Sequence, residues 1–479
     1  MSSSDLLPAL PFLIVSIWAI LLLVFDLFIS NKGITAILAA AGVMGALVAA
    51  IARFGSNQVA FDGMIVADGF SDYLQIVILA TALLGVAVAY DYLRRMDMER
   101  GEYYTLMLFT VAGMLLMSLA GDLILIFLAI ELLSLPLYVL SGFARPEKNS
   151  EEAAMKYFIL GAFSSAFLVY GIALIFGSTG TTNMAGVAQS IYSNQADLTL
   201  LIIAIPMLLV GLGFKVAAVP FHMWMPDVYQ GAPSAAVAFM SVGAKVAGFA
   251  ALLRIFIVAL PELAQAWGPI VVAVSAATMI WGNLAAIPQS NIKRMLAYSS
   301  IAHAGFILMA LAAASDAAVA DKAVSAALFY LFAYLFSNLG AWAVVLALEQ
   351  TEGRGLLIED YAGLGRRRPA LALAMAVFML SLLGIPPTVG FIGKFLVFGV
   401  TIEAGLIGLA IVGVATSLIS AYYYMRVVVV MYMRTGEPES RSEGWLNRTV
   451  GLTALATFLL GVLPGPILFL AANSGFITP

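Results

Sequence analysis

A helix needs about 20 apolar residues to cross a bilayer, and runs of that length recur from one end of this chain to the other. Hydrophobic residues make up 63% of the 479, and charged residues only 10% against roughly 25% in a soluble domain. No hydrophilic stretch is long enough to form a soluble domain. The expected fold class is an all-α polytopic membrane protein, one integral domain with short connections.

The apolar runs give fourteen spans, near 6–29, 34–53, 70–92, 103–119, 122–142, 152–177, 198–219, 233–260, 268–287, 293–314, 323–348, 370–399, 404–433 and 447–472. The first run has no positive charge before it and is too long for a signal core, so it reads as a retained span. Loop charges test the count, because Lys and Arg concentrate in cytoplasmic loops. Lys32; Arg94, Arg95 and Arg100; Arg145 and Lys148; Lys293 and Arg294; Arg354, Arg366, Arg367 and Arg368; and Arg434, Arg441 and Arg448 fall in alternate loops. Lys322 is the clear exception, with Arg53 and Arg254 near the edges of their spans. One missed span would scramble this alternation. Both termini are therefore expected outside, in the periplasm of a bacterium whose inner membrane holds the chain. Arg254 is expected to snorkel to the outer end of its helix.

Two spans carry helix breakers at depth. Span 7 has Pro206, Gly211-Leu212-Gly213-Phe214-Lys215 and then Pro220. Span 12 has Gly384-Ile385-Pro386-Pro387-Thr388 followed by Gly390-Phe391-Ile392-Gly393-Lys394. Broken membrane helices survive where they are buried in protein or line a wet cavity. Paired breaks point to ion sites in inverted-repeat transporters. The breaks lie five spans apart, an odd number, so units built on spans 4–8 and 9–13 would be inverted. The expected divisions are 1–102 (three helices), 103–260 (first repeat), 261–434 (second repeat) and 435–479 (a final helix).

Charges inside spans are costly, on the order of 3 kcal/mol on insertion scales, and mark ion paths or proton relays. Lys245 has the deepest setting, mid-way along an otherwise apolar run. Glu131 lies central in span 5, just before Pro136. Lys215 and Lys394 sit beside the two breaks. Lys156 follows Glu152 by four residues, and an i,i+4 pair accounts for it as well as a relay does. His303 in span 10 suits either a packed, hydrogen-bonded ring or a proton relay. His222 sits in the connection after span 7, as an anchor or a relay. Tyr422, Tyr423 and Tyr424 read as packing residues. Cysteine is absent and histidines number two, which excludes disulfides and thiolate or iron–sulfur ligation and makes a poor metal site. No glycine loop for phosphates and no basic surface for nucleic acid is present.

The segment from Gly213-Phe214-Lys215 through Pro220-Phe221-His222-Met223-Trp224-Met225-Pro226-Asp227 to Val228-Tyr229-Gln230-Gly231-Ala232-Pro233 resembles the signature of the antiporter-like subunits of respiratory complex I. Its ending is most similar to the N members, as opposed to M or L, and no long C-terminal lateral helix follows. The resemblance extends over essentially the whole chain. It implies a proton-translocating membrane-arm subunit of NADH:quinone oxidoreductase. Glu131 and Lys215 would be the family's charged pair, Lys245 the central lysine, Lys394 the exit lysine and Lys156 the lysine of span 6. No cofactor is implied in this chain; NADH, FMN, iron–sulfur clusters and quinone belong to partner subunits. Neighbouring antiporter-like and small membrane subunits are the implied partners, together with lipids. The alternatives are a subunit of a multi-component sodium/proton antiporter, a stand-alone solute transporter and a structural scaffold.

Overall fold

The computed structural model describes residues 3–440 and 443–477. Arg441, one of the loop charges used to orient the chain, lies outside the described residues. The principal helices in chain order are α1 (Leu10–Asp26), α2 (Lys32–Ala52), α3 (Gly69–Arg95), α4 (Gly101–Leu119), α5 (Leu123–Ser141) and α6 (Lys148–Thr179). Then come α7 (Leu198–Val216), α8 (Trp224–Gly231), α9 (Ser234–Arg254), α10 (Ala264–Ala286), α11 (Ile292–Ala313) and α12 (Ala320–Leu348). The last are α13 (Pro369–Leu383), α14 (Val389–Glu403), α15 (Ile407–Met433), α16 (Gly444–Val462) and α17 (Gly465–Ala472). Among the described residues, twelve helices are long and apolar enough to cross a membrane. With the 17-residue α1 and the broken pair α13–α14 they make the fourteen spans read from the sequence.

Helix starts are written in the loops. Asn31, Asp68, Asp122, Asp197 and Asn291 each accept a backbone N–H from the first turn of the helix they precede. This explains how α4 and α5 are separated by so short a link: Asp122 Oδ1 accepts Ile124 N at 2.8 Å and starts the new helix at once. The sequence reading contained only helices, but the structure adds a small hairpin, Gln58–Ala60 paired antiparallel with Ile65–Ala67. It occupies the polar link between α2 and α3. Gly121 N donates to Met64 O at 2.8 Å, docking the hairpin against the α4–α5 corner.

Helices α9, α11 and α12 are buried on nearly all sides, whereas α2, α6, α10 and α16 present apolar faces outward. Residues such as Ile37, Phe163, Trp281 and Leu455 are exposed there, as lipid-facing side chains are. Close approach in the interior rests on small residues. A Cβ on Gly282 would lie 2.6 Å from Ala302 N, and one on Gly305 would lie 2.8 Å from Met279 N. Helices α10 and α11 therefore meet backbone to backbone, which fixes the rotation of α11.

Arg254 does not snorkel. It is 2% exposed and makes a two-pronged bond to Asp68, Nη1 to Oδ2 and Nη2 to Oδ1, both at 2.9 Å. Ser118 O accepts a further bond at 3.1 Å. The guanidinium lies 5.1 and 5.4 Å from the ring centroids of Phe70 and Phe476, which pack against each other at 4.4 Å. The planar fork matches a carboxylate, and a pair this well satisfied has no need of the aqueous end. Removing one partner strands the other charge in the interior. Arg254→Leu is expected to destabilise the fold by about 3–5 kcal/mol, and Asp68→Asn in the same chain should restore part of the loss; thermal unfolding of the detergent-solubilised protein reads both.

Candidate functional site

Span 7 breaks later than its glycines suggest. Helix α7 runs unbroken through Pro206, Gly211 and Gly213, and ends when Ala217 adopts φ 58°. Lys215 is thus in the last turn of α7, and α8 begins after the 217–223 connection. The freed carbonyl of Phe214 accepts the Trp224 indole N–H at 3.0 Å. Trp224 in turn stacks flat on Tyr157, with centroids 4.4 Å apart and planes 6° apart. The break is therefore a braced corner.

Lys215 is 4% exposed, and its ammonium donates to Ser134 Oγ on α5 at 2.5 Å. Aromatic rings line the rest of its pocket: Tyr138 and Phe214 at 5.6 Å and Tyr157 at 5.9 Å. The expected direct pair with Glu131 is not made. Glu131 is half-buried and accepts Ser165 Oγ–H at 2.6 Å. Among the described residues no ion pair joins it to Lys215; the serine one turn along α5 takes the ammonium. The two charges thus face each other through space only, with Ser134 bonded to Lys215 and Ser165 to Glu131.

Lys245, 2% exposed on α9, donates to the carbonyl of Ser300 on α11 and lies over the Tyr334 ring at 5.4 Å. Tyr334 on α12 donates its hydroxyl to Ser300 Oγ at 2.9 Å. One turn along α11 is His303, with Nδ1 2.7 Å from Tyr330 Oη and Nε2 3.1 Å from Tyr424 Oη. Tyr424 also bonds Ser299 Oγ at 2.5 Å. Phe306, the next turn of α11, places its ring 4.5 Å from Lys394 Nζ. Lys394 donates to Leu383 O at 2.8 Å and Ser417 Oγ at 3.2 Å. Leu383 is the last residue of α13, and Gly384 leaves the helix at φ 90°. The break in span 12 thus supplies the carbonyl that holds Lys394.

Lys245, His303 and Lys394 therefore lie along one polar seam through the buried helices α9, α11 and α12. Three partners on it were not singled out from the sequence: Tyr330 and Tyr334, four residues apart on one face of α12, and Tyr424. The Tyr422–Tyr424 run gave no means of telling them apart; Tyr422 is exposed, Tyr423 bonds Asn283 Oδ1 at 2.9 Å, and only Tyr424 reaches His303.

The other two candidates stand apart from the seam. Lys156 is 40% exposed and pairs with Glu152 at 2.8 Å, the expected i,i+4 contact, and with Asp227 at 2.7 Å. Asp227 also binds Arg294 at 2.7 Å. Burial pushes the Asp227 carboxyl up, but the bonds from Lys156 and Arg294 outweigh it and hold it below the usual carboxylate range. This cluster lines an open cavity of about 200 Å³ beside α8. His222 sits in the 217–223 connection, edge-on to Trp281 at 6.1 Å, with its Nδ1 buried and unpaired among the described residues. Among the described residues no three His, Asp or Glu side chains converge to hold a metal ion.

The chain resembles known proteins over its whole length. A family profile described as NADH:quinone oxidoreductase/Mrp antiporter, transmembrane, matches residues 120–420. NADH-quinone oxidoreductase subunit N of Chloroflexus aggregans is 44% identical, covering 98% of this chain and 97% of that one. Its counterpart in Trichlorobacter lovleyi is 45% identical, covering 97% and 96%. A chain of respiratory complex I from Thermus thermophilus superposes with a TM-score of 0.84 at 36% identity, covering 96% of this chain and 99% of that one. A chain of the Mrp complex from Dietzia sp. shares the fold, with a TM-score of 0.86 at 24% identity and coverage of 98% and 97%.

Among the described residues, Ser134 is the one hydrogen-bonding side chain on the Lys215 ammonium. Hydrogen bonds to charged groups contribute about 1.5–3 kcal/mol, so Ser134→Ala is expected to lower stability by that amount, with Ser134→Thr retaining most of it. Denaturation midpoints of the two variants against the parent check this.

Proposed function

The chain belongs to the N-subunit family of NADH-quinone oxidoreductases, and from that premise we propose that it translocates protons in the membrane arm of such a complex. NADH, FMN, iron–sulfur and quinone chemistry belongs to partner subunits, and this chain contributes the proton path. It lies in the bacterial inner membrane with both termini in the periplasm, and residues 103–260 and 261–434 act as two inverted units, each with its own break and its own lysine.

The observation that carries this reading is the seam from Lys245 through Ser300, Tyr334 and His303 to Lys394. Lys245 holds a proton as its ammonium, on the Ser300 carbonyl. Releasing it leaves a neutral amine. The proton moves by way of the His303 ring, whose two nitrogens face two different tyrosine hydroxyls, toward Lys394 and the outer side. Lys215, Glu131 and the Lys156–Asp227 cluster form the inner half, with His222 in the corner between α7 and α8.

Electrostatics supplies the coupling. Two unit charges about 10 Å apart at an effective dielectric of about 20 interact by about 1.7 kcal/mol. Such a change shifts proton occupancy of a neighbouring lysine more than tenfold. Gain or loss of one unit charge on Glu131 or Lys215 at such a range would load or empty Lys245 without moving a helix.

The Mrp-type reading shares the fold, and sodium-driven proton exchange by membranes not oxidising NADH would favour it. Lys245→Ala in the assembled complex is expected to lower NADH-driven proton pumping and coupled quinone reduction about tenfold or more, the scale of losing a positioned acid–base group. Fluorescent-dye quenching in inverted vesicles and NADH oxidation measure the two rates, and unchanged pumping per electron overturns the role given to Lys245.

A further inference from the structure

A second polar feature lies between α9 and α12, at the end where α9 begins and α12 stops. A cavity of about 340 Å³ opens there, lined by Tyr92, Gly231, Pro233, Lys293 and Glu349. Lys293 and Glu349 are 2% and 6% exposed, unusual for charged residues. They are loosely joined: Lys293 Nζ is 3.9 Å from Glu349 Oε1 and spends a full hydrogen bond, at 2.8 Å, on Ala232 O. Glu349 Oε2 is buried with no hydrogen-bond partner among the described residues. The sequence reading counted Lys293 as a loop charge and passed over Glu349.

From this cavity a line of similarly unsatisfied atoms leads inward. Glu349, Trp342, Asn338 and Tyr334 are spaced by seven, four and four residues and so share one face of α12. Ser234, Ser241 and Lys245 repeat the spacing of seven and four on α9. The two rows face each other, since Asn338 Nδ2 donates to Ser241 Oγ at 2.7 Å and Lys245 lies over the Tyr334 ring. Ser234 N reaches Tyr92 Oη at 3.3 Å, on the cavity wall. Ser234 Oγ, Trp342 Nε1 and Asn338 Oδ1 all lack a protein partner, and all three residues are 0% exposed. Buried polar atoms are rarely left unpaired, and ordered water is the usual partner of those that lack one in the protein. Water satisfies two to four such groups at once.

We propose that Glu349 is the proton-uptake group of a dedicated intake leading to Lys245, with Lys293 as its counter-charge and the α9–α12 seam as a water-filled relay. The Glu349 carboxylate takes a proton from water in the cavity and becomes the neutral acid, freeing Lys293 from its partial pairing. The proton then passes along waters held by Ser234, Trp342 and Asn338 to the neutral amine of Lys245. This restores the carboxylate and leaves an ammonium on the Ser300 carbonyl. The cavity adjoins the one beside Lys156 and Asp227, sharing Asn149, Gln230 and Gly231 in its lining, but the seam leads inward from Glu349. The inference rests on Lys245 being a proton carrier.

The test uses the assembled complex in proteoliposomes, with Glu349→Gln, Glu349→Asp, Trp342→Phe and Lys245→Ala measured side by side. Glu349→Gln is expected to slow pumping and coupled quinone reduction about tenfold, the loss of one charge-assisted link. Glu349→Asp should recover most of the rate. Trp342→Phe, which removes the indole N–H and leaves a smaller aromatic ring in its place, should slow both rates and enlarge the solvent deuterium isotope effect. In Glu349→Gln the remaining rate should climb more steeply than in the parent as the pH on the cavity side falls, because proton supply has become limiting. Parent-like rates and pH profiles in Glu349→Gln and Trp342→Phe, with Lys245→Ala inactive, overturn the intake and leave the role of Lys245 standing. Parent-like pumping in Lys245→Ala overturns the proposed function itself. Should Glu349→Gln fail to assemble, Trp342→Phe decides alone: a parent-like rate and isotope effect refute the relay.

Discussion

A buried ammonium has three N–H donors and must find oxygen for them inside the protein. In a bundle of regular helices nearly every backbone carbonyl is already taken by the helix itself. This chain meets the need in three ways. Lys394 takes the carbonyl of Leu383, released where α13 ends at Gly384. Lys215 takes the hydroxyl of Ser134, whose own proton goes back to the Ile130 carbonyl one turn earlier. Lys245 shares the carbonyl of Ser300 within α11. In each case the lysine keeps few oxygens, and an aromatic face covers another side of the charge. Such sites hold the ammonium without the full set of bonds that would make it permanent, and a group that must give up its proton has to be held in that way.

Arg254 supplies the contrast within the same helix. Its guanidinium has a carboxylate fork, a carbonyl and two aromatic faces, and remains charged at any physiological pH. Lys245, nine residues earlier, has one carbonyl and one ring. The end and the middle of α9 therefore have different tasks. The arginine end ties α9 to the Asp68 cap of α3 and to the C-terminal strand of chain at Phe476, and the lysine keeps a titratable site in the interior. Buried cations are common to both, so burial by itself does not separate a structural charge from a mobile one; the number and strength of its partners does.

The sequence carried the spans, the alternation of loop charges and the presence of two breaks, because each follows from local composition and the bilayer's length scale. It also carried the candidates Lys245, Lys394 and His303, which the structure brings onto one seam. What stayed hidden depends on which faces meet. Glycines in span 7 suggested a break at Gly211–Gly213, yet those residues serve close helix contact with Leu168 and Phe221, and the chain turns at Ala217. A lysine near a glutamate in a charge-poor chain suggests a pair, but Ser134 intercepts Lys215. Lys322, the loop charge that disturbed the alternation, is neutralised by Glu403 on α14, a partner eighty-one residues away. Tyr424, Glu349 and the orphaned atoms along α12 became visible only once α9, α11 and α12 were placed side by side.

The placement of those three helices also explains why a polar seam does not weaken the bundle. Side chains of α9, α11 and α12 are buried almost all round, so the seam is enclosed by protein and not by lipid, and its polar groups meet one another at 2.5–3.1 Å in the hydroxyl–imidazole cluster around His303. The backbone contact of α10 with α11 at Gly282 and Gly305 leaves no room for α11 to rotate. His303 is thereby held between Tyr330 and Tyr424, and its tautomer, not its position, is what remains free to change. A proton path built on a fixed scaffold needs only changes of protonation and of hydroxyl direction to advance.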